Sequence, residues 1–131
     1  MHLLDTNIVS YWMRGDNRVI GRLQAHTPAE LSLCTVTLAE ILYGIERSPA
    51  KKRERRAKLD QIISMLTLHP FDADAAHAYA AVRTQLESLG TAISERDTQI
   101  AAIALARSLT VVTHNVREFA RIEGLRVVDW A

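Results

Sequence analysis

The stretch HLLDTNIVSYWM (residues 2–13) joins a short apolar run to a helical pattern through a single aspartate. The run His2–Leu4 is apolar rather than alternating, which is typical of a strand buried on both faces. From Thr6 to Met13 the pattern favours a helix. Because a buried strand that leads into a helix opens a βαβ unit, this stretch predicts a parallel sheet covered by helices.

The rest of the chain continues the same alternation, with no linker, repeat or low-complexity tract to divide it. Further strands are predicted over residues 31–34, 110–113 and 125–128. Further helices are predicted over residues 17–25, 36–46, 50–66, 72–89 and 94–109, the fourth of these with Asp72 as its N-cap and Gly90 as its C-cap. We therefore expect a single α/β domain over residues 1–131, with a small, mainly parallel central sheet and helices on both faces.

Composition excludes several classes of protein. Of 131 residues, 48% are hydrophobic and 24% are charged, as in ordinary globular proteins. The single cysteine, Cys34, excludes an intramolecular disulfide framework and a cysteine-based zinc cluster, and is expected to be a small buried residue. A net charge of +1 excludes nucleic-acid binding by bulk charge but allows a local basic patch.

The N-terminus lacks the features of a targeting segment. It has no basic n-region and no long apolar h-region, and no run of 18 apolar residues occurs anywhere. We expect a cytoplasmic protein without membrane association.

Three carboxylates lie at positions where burial of an unpaired negative charge would be energetically costly. Asp5 follows the first strand directly, Glu40 shares a helix face with apolar neighbours, and Asp97 begins the stripe Ile100, Ala101 and Ala104. Each has an ordinary alternative. Asp5 could cap the helix that follows it, Glu40 could lie on the helix surface, and Asp97 could form a capping box with Ser94.

Taken together, the three carboxylates suggest a metal site. Carboxylates that converge in a cleft repel one another unless a cation compensates them. Oxygen ligands without cysteine or paired histidines suit Mg²⁺ or Mn²⁺, and such sites usually serve phosphate chemistry.

A fourth candidate region, residues 113–119, follows Thr110–Val112 at the carboxyl end of the predicted strand. Thr113 and Asn115 could form hydrogen bonds near a metal, and Glu118 could supply another carboxylate. The alternative is a simple turn with a solvated Arg-Glu pair.

These residues resemble the PIN-domain ribonucleases, in particular the VapC toxins of bacterial toxin–antitoxin pairs. The matching stretches occur in order and cover nearly the whole chain: LLDTNIVSYW (3–12), TVTLAEILYGIERS (35–48), PFDADAAHAYAAVRTQLE (70–87), GTAISERDTQIAAIALA (90–106) and VVTHNVREFARIEGLRVVDW (111–130).

The resemblance implies a three-layer α/β/α PIN-like fold and a Mg²⁺- or Mn²⁺-dependent endoribonuclease. Asp5, Glu40 and Asp97 match the three acidic metal positions of the family. Its fourth position, often an aspartate, is Asn115 here, so Glu118 is the better candidate for a fourth carboxylate. The resemblance also implies that hydrolysis leaves a 5′-phosphate and a 3′-hydroxyl.

The resemblance extends to orienting residues, partners and substrate. Thr6 and Thr113 match positions that orient the site. The family implies a VapB-type antitoxin, promoter DNA bound only through the antitoxin complex, and a homodimer, heterotetramer or hetero-octamer. The implied substrate is RNA, with initiator tRNA cut in its anticodon stem-loop. The alternative function is a catalytically silent PIN-fold module that binds RNA or a protein partner.

Two further features have open interpretations. Residues 51–58 hold six basic side chains, which could form a solvated helix face or contact RNA phosphates. Trp12, Tyr43 and Tyr79 occupy helical positions and are predicted to be core or interface residues rather than base-stacking platforms.

Overall fold

A computed structural model describes the whole chain, residues 1–131, as helices packed on both faces of one sheet. The five strands are β1 (His2–Leu4), β2 (Leu31–Cys34), β3 (Thr67–His69), β4 (Thr110–Val112) and β5 (Val127–Val128). All pairs are parallel, and the spatial order is β3-β2-β1-β4-β5.

Seven α-helices connect these strands, and none of them is both long and apolar enough to cross a lipid bilayer. They are α1 (Thr6–Met13), α2 (Asn17–Gln24), α3 (Thr35–Arg47), α4 (Lys52–Met65), α5 (Ala73–Ser88), α6 (Glu95–Arg107) and α7 (Val116–Phe119).

The sheet separates two cores because neighbouring strand residues point to opposite faces. Leu3 packs into one core and Leu4 into the other, and Val111 and Val112 of β4 divide in the same way. Helices α1 to α4 cover the core that contains Leu4, and α5 to α7 cover the core that contains Leu3. The predicted three-layer α/β/α arrangement is confirmed.

Two elements were not predicted from the sequence. The edge strand β3 lies just after the predicted helix 50–66, in a stretch to which no element was assigned, because its three residues carry no apolar run. Residues 116–119 form a helical turn where only a turn was considered. The remaining boundaries differ from the predictions by one or two residues, and Gly90, with φ +68°, follows the C-cap Leu89.

The strand order places a crevice beside β1. The chain runs outward from β1 to β2 and β3 on one side and to β4 and β5 on the other. In open parallel sheets, ligands bind outside the carboxyl ends of the strands at the point where the order reverses. Asp5 directly follows β1, and Thr113 directly follows β4, so both lie at this point.

Much of the basic run 51–58 serves to hold α4 in place. The Arg55 guanidinium donates to the backbone carbonyls of Gly44 (2.8 Å), Ser48 (3.0 Å) and Ala50 (3.0 Å), at and beyond the end of α3. Lys58 donates to the carbonyl of Met13 at the end of α1, 3.2 Å away. These basic side chains therefore bind carbonyls at the C-terminal ends of α1 and α3 and in the loop that leads into α4.

Arg55→Ala is expected to lower the free energy of unfolding by about 1–3 kcal/mol, because it removes charge-assisted hydrogen bonds to three carbonyls. Arg53→Ala, on the exposed side of the same helix, is the matched control and should change stability by less than about 0.5 kcal/mol. Urea unfolding of both variants measures the difference. Equal stabilities would show that Arg55 does not anchor α4.

Candidate active site

Asp5 is buried at the centre of the crevice, with 3% of its surface exposed. Its backbone N–H donates to the carbonyl of Val112 (3.0 Å). Its Oδ1 accepts from the N–H of Ile8 (3.1 Å), and its Oδ2 accepts a short hydrogen bond from the hydroxyl of Thr113 (2.5 Å). Asp5 therefore caps α1, as the ordinary alternative predicted, and also presents a buried carboxylate at the carboxyl end of the sheet.

The surroundings of Asp5 disfavour its negative charge. Burial raises the pKa of this carboxyl to about 6, and the charges of Asp97 and Glu40 contribute to the increase. The hydrogen bonds from Thr113 and Ile8 lower the pKa but do not offset the burial. The three acidic residues predicted from the sequence thus interact electrostatically in one cleft.

Asp97 comes from the first turn of α6 and is half-buried. Its N–H donates to the Ser94 hydroxyl (3.1 Å), so Ser94 is the N-cap. Its carboxylate, however, accepts from the side-chain amide of Asn115 (3.1 Å), so it faces the crevice. Burial raises the pKa of Asp97, and the charges of Glu40 and Glu118 act in the same direction. The stripe that it begins is buried as predicted: Ile100, Ala101 and Ala104.

Glu40 reaches the same cleft from the middle of α3. Its Oε1 accepts from the hydroxyl of Thr6 (2.8 Å), and its Oε2 forms an ion pair with Nη1 of Arg96 (3.0 Å). The Glu40 side chain is 21% exposed, so it lies at the edge of the buried face, as its ordinary alternative predicted, and also contacts residues of the cleft.

Arg96 is a site residue that the sequence analysis missed. It directly precedes Asp97, and adjacent helical residues do not share a face, so the apolar stripe gave no signal for it. Only the contact between α3 and α6 brings its guanidinium to Glu40.

In the fourth candidate region, Thr113 and Asn115 contact the carboxylates of the cleft, whereas Glu118 does not. Thr113 donates to Asp5 and accepts from the N–H of Asn115 (2.8 Å), whose side chain in turn holds Asp97. Glu118 is half-buried in α7 and its side chain makes no hydrogen bond, so its carboxylate acts on Asp97 through its charge alone. Asn115 therefore occupies the contacting position, and Glu118 lies beyond it.

The predicted ligands share a cleft but do not converge on one point. No group of three His, Cys, Asp or Glu side chains is arranged to hold a metal ion. Each carboxylate instead contacts a protein partner: Thr113 for Asp5, Asn115 for Asp97, and Thr6 with Arg96 for Glu40.

The cleft is consistent with the family that the motifs resemble. Residues 2–125 match the PIN domain family model. Ribonuclease VapC2 of Rickettsia felis is 33% identical over 132 residues, covering 99% of this chain and 98% of the relative. The tRNA(fMet)-specific endonuclease VapC of Salmonella typhimurium is 34% identical over 128 residues, covering 98% and 96%.

Solved structures agree with the sequence relatives over the same length. DNA-bound VapBC from Salmonella typhimurium has a chain with a TM-score of 0.91 and 34% identity, covering 99% of this chain and 98% of that one. VapBC2 from Rickettsia felis, bound to a fragment of its promoter, has a chain with a TM-score of 0.90 and 32% identity over the same shares. The chain therefore belongs to the PIN-domain family and, within it, to the VapC ribonucleases, the toxins of VapBC toxin–antitoxin systems.

Proposed function

We propose that this VapC ribonuclease is a Mg²⁺- or Mn²⁺-dependent endonuclease that cuts tRNA, with Asp5, Glu40 and Asp97 as its metal ligands. One observation carries the proposal. Three carboxylates from three separate elements share one cleft at the carboxyl end of the sheet, close enough for the charges of Asp97 and Glu40 to contribute to the raised pKa of buried Asp5, which is about 6. A cation placed among them would offset the repulsion and the cost of burial that this pKa reflects.

The chemistry of the available donors fits such a cation. The cleft offers carboxylate, hydroxyl and amide oxygens, which are ligands for Mg²⁺ and Mn²⁺ rather than zinc. Glu40 would have to exchange its contact with Arg96, and this exchange costs little because the Arg96 side chain is 65% exposed. When bound, the metal supplies Lewis-acid chemistry for phosphodiester hydrolysis.

The other residues of the site orient the ligands. Thr113 holds Asp5, Asn115 holds Asp97 and Thr6 holds Glu40, each through one hydrogen bond. Such partners fix the rotamers of metal ligands and are themselves important for activity. Glu118 adds negative charge beyond Asn115, where it could act on the metal through water.

The substrate and partner proposals rest on the relatives. The Salmonella relative is named for its specificity for tRNA(fMet), which favours initiator tRNA as the substrate here. Relatives have been solved as VapBC complexes on DNA. We infer a VapB-type antitoxin as partner, in a heterotetramer or hetero-octamer that binds promoter DNA through the antitoxin.

The test compares the wild-type chain with Asp97→Asn, each expressed without antitoxin, by sequencing RNA 5′ ends from the cells. Wild type should arrest growth and produce discrete cuts in the anticodon stem-loop of initiator tRNA, and Asp97→Asn should do neither. Asp74→Asn is the matched control, because Asp74 also lies in the first turn of a helix but is exposed on α5. It should behave as wild type.

Two results would overturn parts of this proposal. Equal toxicity of wild type and Asp97→Asn would favour a silent module that acts by binding. Discrete cuts in ribosomal RNA instead of tRNA would keep the nuclease and replace its substrate.

A further inference from the structure

We propose that Tyr43 is a platform on which a base of the RNA stacks beside the cleavage site, and that Arg47 and Arg96 contact the adjoining phosphates. This inference rests on the proposed function, which it extends from the cleavage chemistry to substrate binding. We call Tyr43, Arg47 and Arg96 the nucleotide subsite.

The exposure of Tyr43 is unusual for an aromatic residue. Its surface is 64% exposed, and it is the only aromatic among the large apolar residues that the fold leaves in solvent. Of the two roles predicted for Tyr43, core or interface residue, its exposure excludes the core. By contrast, Trp130 is buried, and Trp12 and Tyr79 are half-buried.

Tyr43 lies close to Glu40, one of the three carboxylates. It follows Glu40 by three positions on α3, so the two side chains occupy the same helix face. Both residues line one cavity of about 790 Å³, together with Arg96 and Thr6. Asp5 and Asp97 do not line this cavity, so a base on the Tyr43 ring would lie on the Glu40 side of the proposed cleavage site.

The cavity carries a strong positive charge for a chain with a net charge of only +1. Its lining includes two acidic residues, Glu40 and Glu54, and six basic ones: Arg14, Arg47, Lys51, Arg55, Lys58 and Arg96. Arg55 and Lys58 are committed to backbone carbonyls and Arg96 is paired with Glu40, which leaves Arg14, Arg47 and Lys51 to meet an anion, together with Arg96 if its ion pair opens. A polyanion is therefore the ligand that this lining favours.

The ring and the positive charge are combined directly at the subsite. The guanidinium of Arg47 lies 5.5 Å from the centroid of the Tyr43 ring, and both residues are on α3. Arg96 of α6 forms the 3.0 Å ion pair with Glu40, which is also on α3. An aromatic ring flanked by basic side chains is the usual arrangement for single-stranded nucleic acid, because bases stack while phosphates are neutralised.

The lining favours RNA over an apolar segment of a partner protein. Only four of the sixteen residues around the cavity are hydrophobic. Ile41 and Ile45 of α3 line the cavity but offer little apolar surface, because they are only 8% and 2% exposed. Ile8 is fully buried, and Trp12 and Leu42 pack against the same core. An apolar helix placed here would find few partners.

The test measures the dissociation constant of an initiator tRNA transcript in chelator, and its cleavage with Mg²⁺, for Tyr43→Ala and Tyr43→Phe. Tyr43→Ala should bind the transcript about 5- to 100-fold more weakly than wild type, because it cannot stack on a base. Tyr43→Phe keeps the ring, and its dissociation constant should lie within about twofold of the wild-type value. The Mg²⁺ concentration for half-maximal cleavage should not change. Tyr79→Ala is the matched control, since Tyr79 has an arginine, Arg83, 5.9 Å from its ring centroid on the opposite layer.

Three outcomes would overturn the subsite. Wild-type binding by Tyr43→Ala would exclude stacking, and equal loss in Tyr43→Phe would assign the effect to the hydroxyl. A changed molar mass in light scattering, or weaker antitoxin binding with unchanged RNA binding, would make Tyr43 an interface residue. If the wild type itself neither binds nor cuts the transcript, the proposed substrate fails rather than the subsite.

Discussion

Asp5→Asn should lose at least about 100-fold in RNA cleavage while the protein remains as stable as wild type, or becomes more stable. The loss of activity follows from removing a charged metal ligand, since partners that merely orient ligands already cost 10- to 100-fold. Purified variants assayed on tRNA with saturating Mg²⁺ give the rates, and thermal unfolding gives the stabilities. Asp74→Asn, which removes an exposed carboxylate from α5, should change neither quantity.

The stability part of this prediction follows from the raised pKa of Asp5. The pKa is about 6 in the folded protein against 3.8 for the free group, so between about pH 4 and pH 6 the folded state binds more protons than the unfolded state. Stability contributed by Asp5 is therefore lost as the pH rises through this window. At pH 7 the penalty is on the order of 3 kcal/mol, and Asn avoids it because it carries no charge.

The new amide offsets part of this gain, because it must find an acceptor where Thr113 now donates to Asp5. A variant that cleaves at more than a tenth of the wild-type rate would remove Asp5 from the ligand set. A strongly destabilised variant would show that the charge of Asp5 supports the fold.

Removal of divalent metal should lower cleavage by at least about 100-fold, and Mg²⁺ or Mn²⁺ should restore it. The restored activity should fall as the pH drops through about 6, because a proton on Asp5 competes with the metal. Asp97 adds to this dependence, since burial raises its pKa as well.

Thermal unfolding with and without Mg²⁺ measures the same competition without substrate. The increase in melting temperature on adding Mg²⁺ should be larger at pH 7.5 than at pH 5, and should disappear in Asp5→Asn. Cleavage that is insensitive to chelator, or a metal shift that grows as the pH falls, would contradict the metal site.

Local patterns predicted most of the fold. The apolar run His2–Leu4 and the run 110–113 fixed two central strands, and Asp72 capped its helix as expected. β3 was not predicted, because an edge strand of three residues needs no apolar pattern of its own. Its backbone pairs with β2, and that pairing depends on the rest of the sheet.

The site residues also fall into two groups, those that a local sequence pattern indicates and those that only the packing of the helices brings together. Asp5 and Thr113 could be anticipated because each follows a strand, and Asp97 because its stripe points inward. The contact of Arg96 with Glu40 joins residues 56 positions apart, so only the packing of α6 against α3 reveals it. The exposure of Tyr43 could not be predicted either, because a position on a helix does not show whether another element packs against that part of α3.

The most direct test of the central claim is the chemistry of the RNA ends produced by the purified protein. Hydrolysis by a metal held at Asp5, Glu40 and Asp97 should leave a 5′-phosphate and a 3′-hydroxyl, and only when Mg²⁺ or Mn²⁺ is present. Products with 2′,3′-cyclic phosphate ends, formed in the presence of chelator, would contradict it.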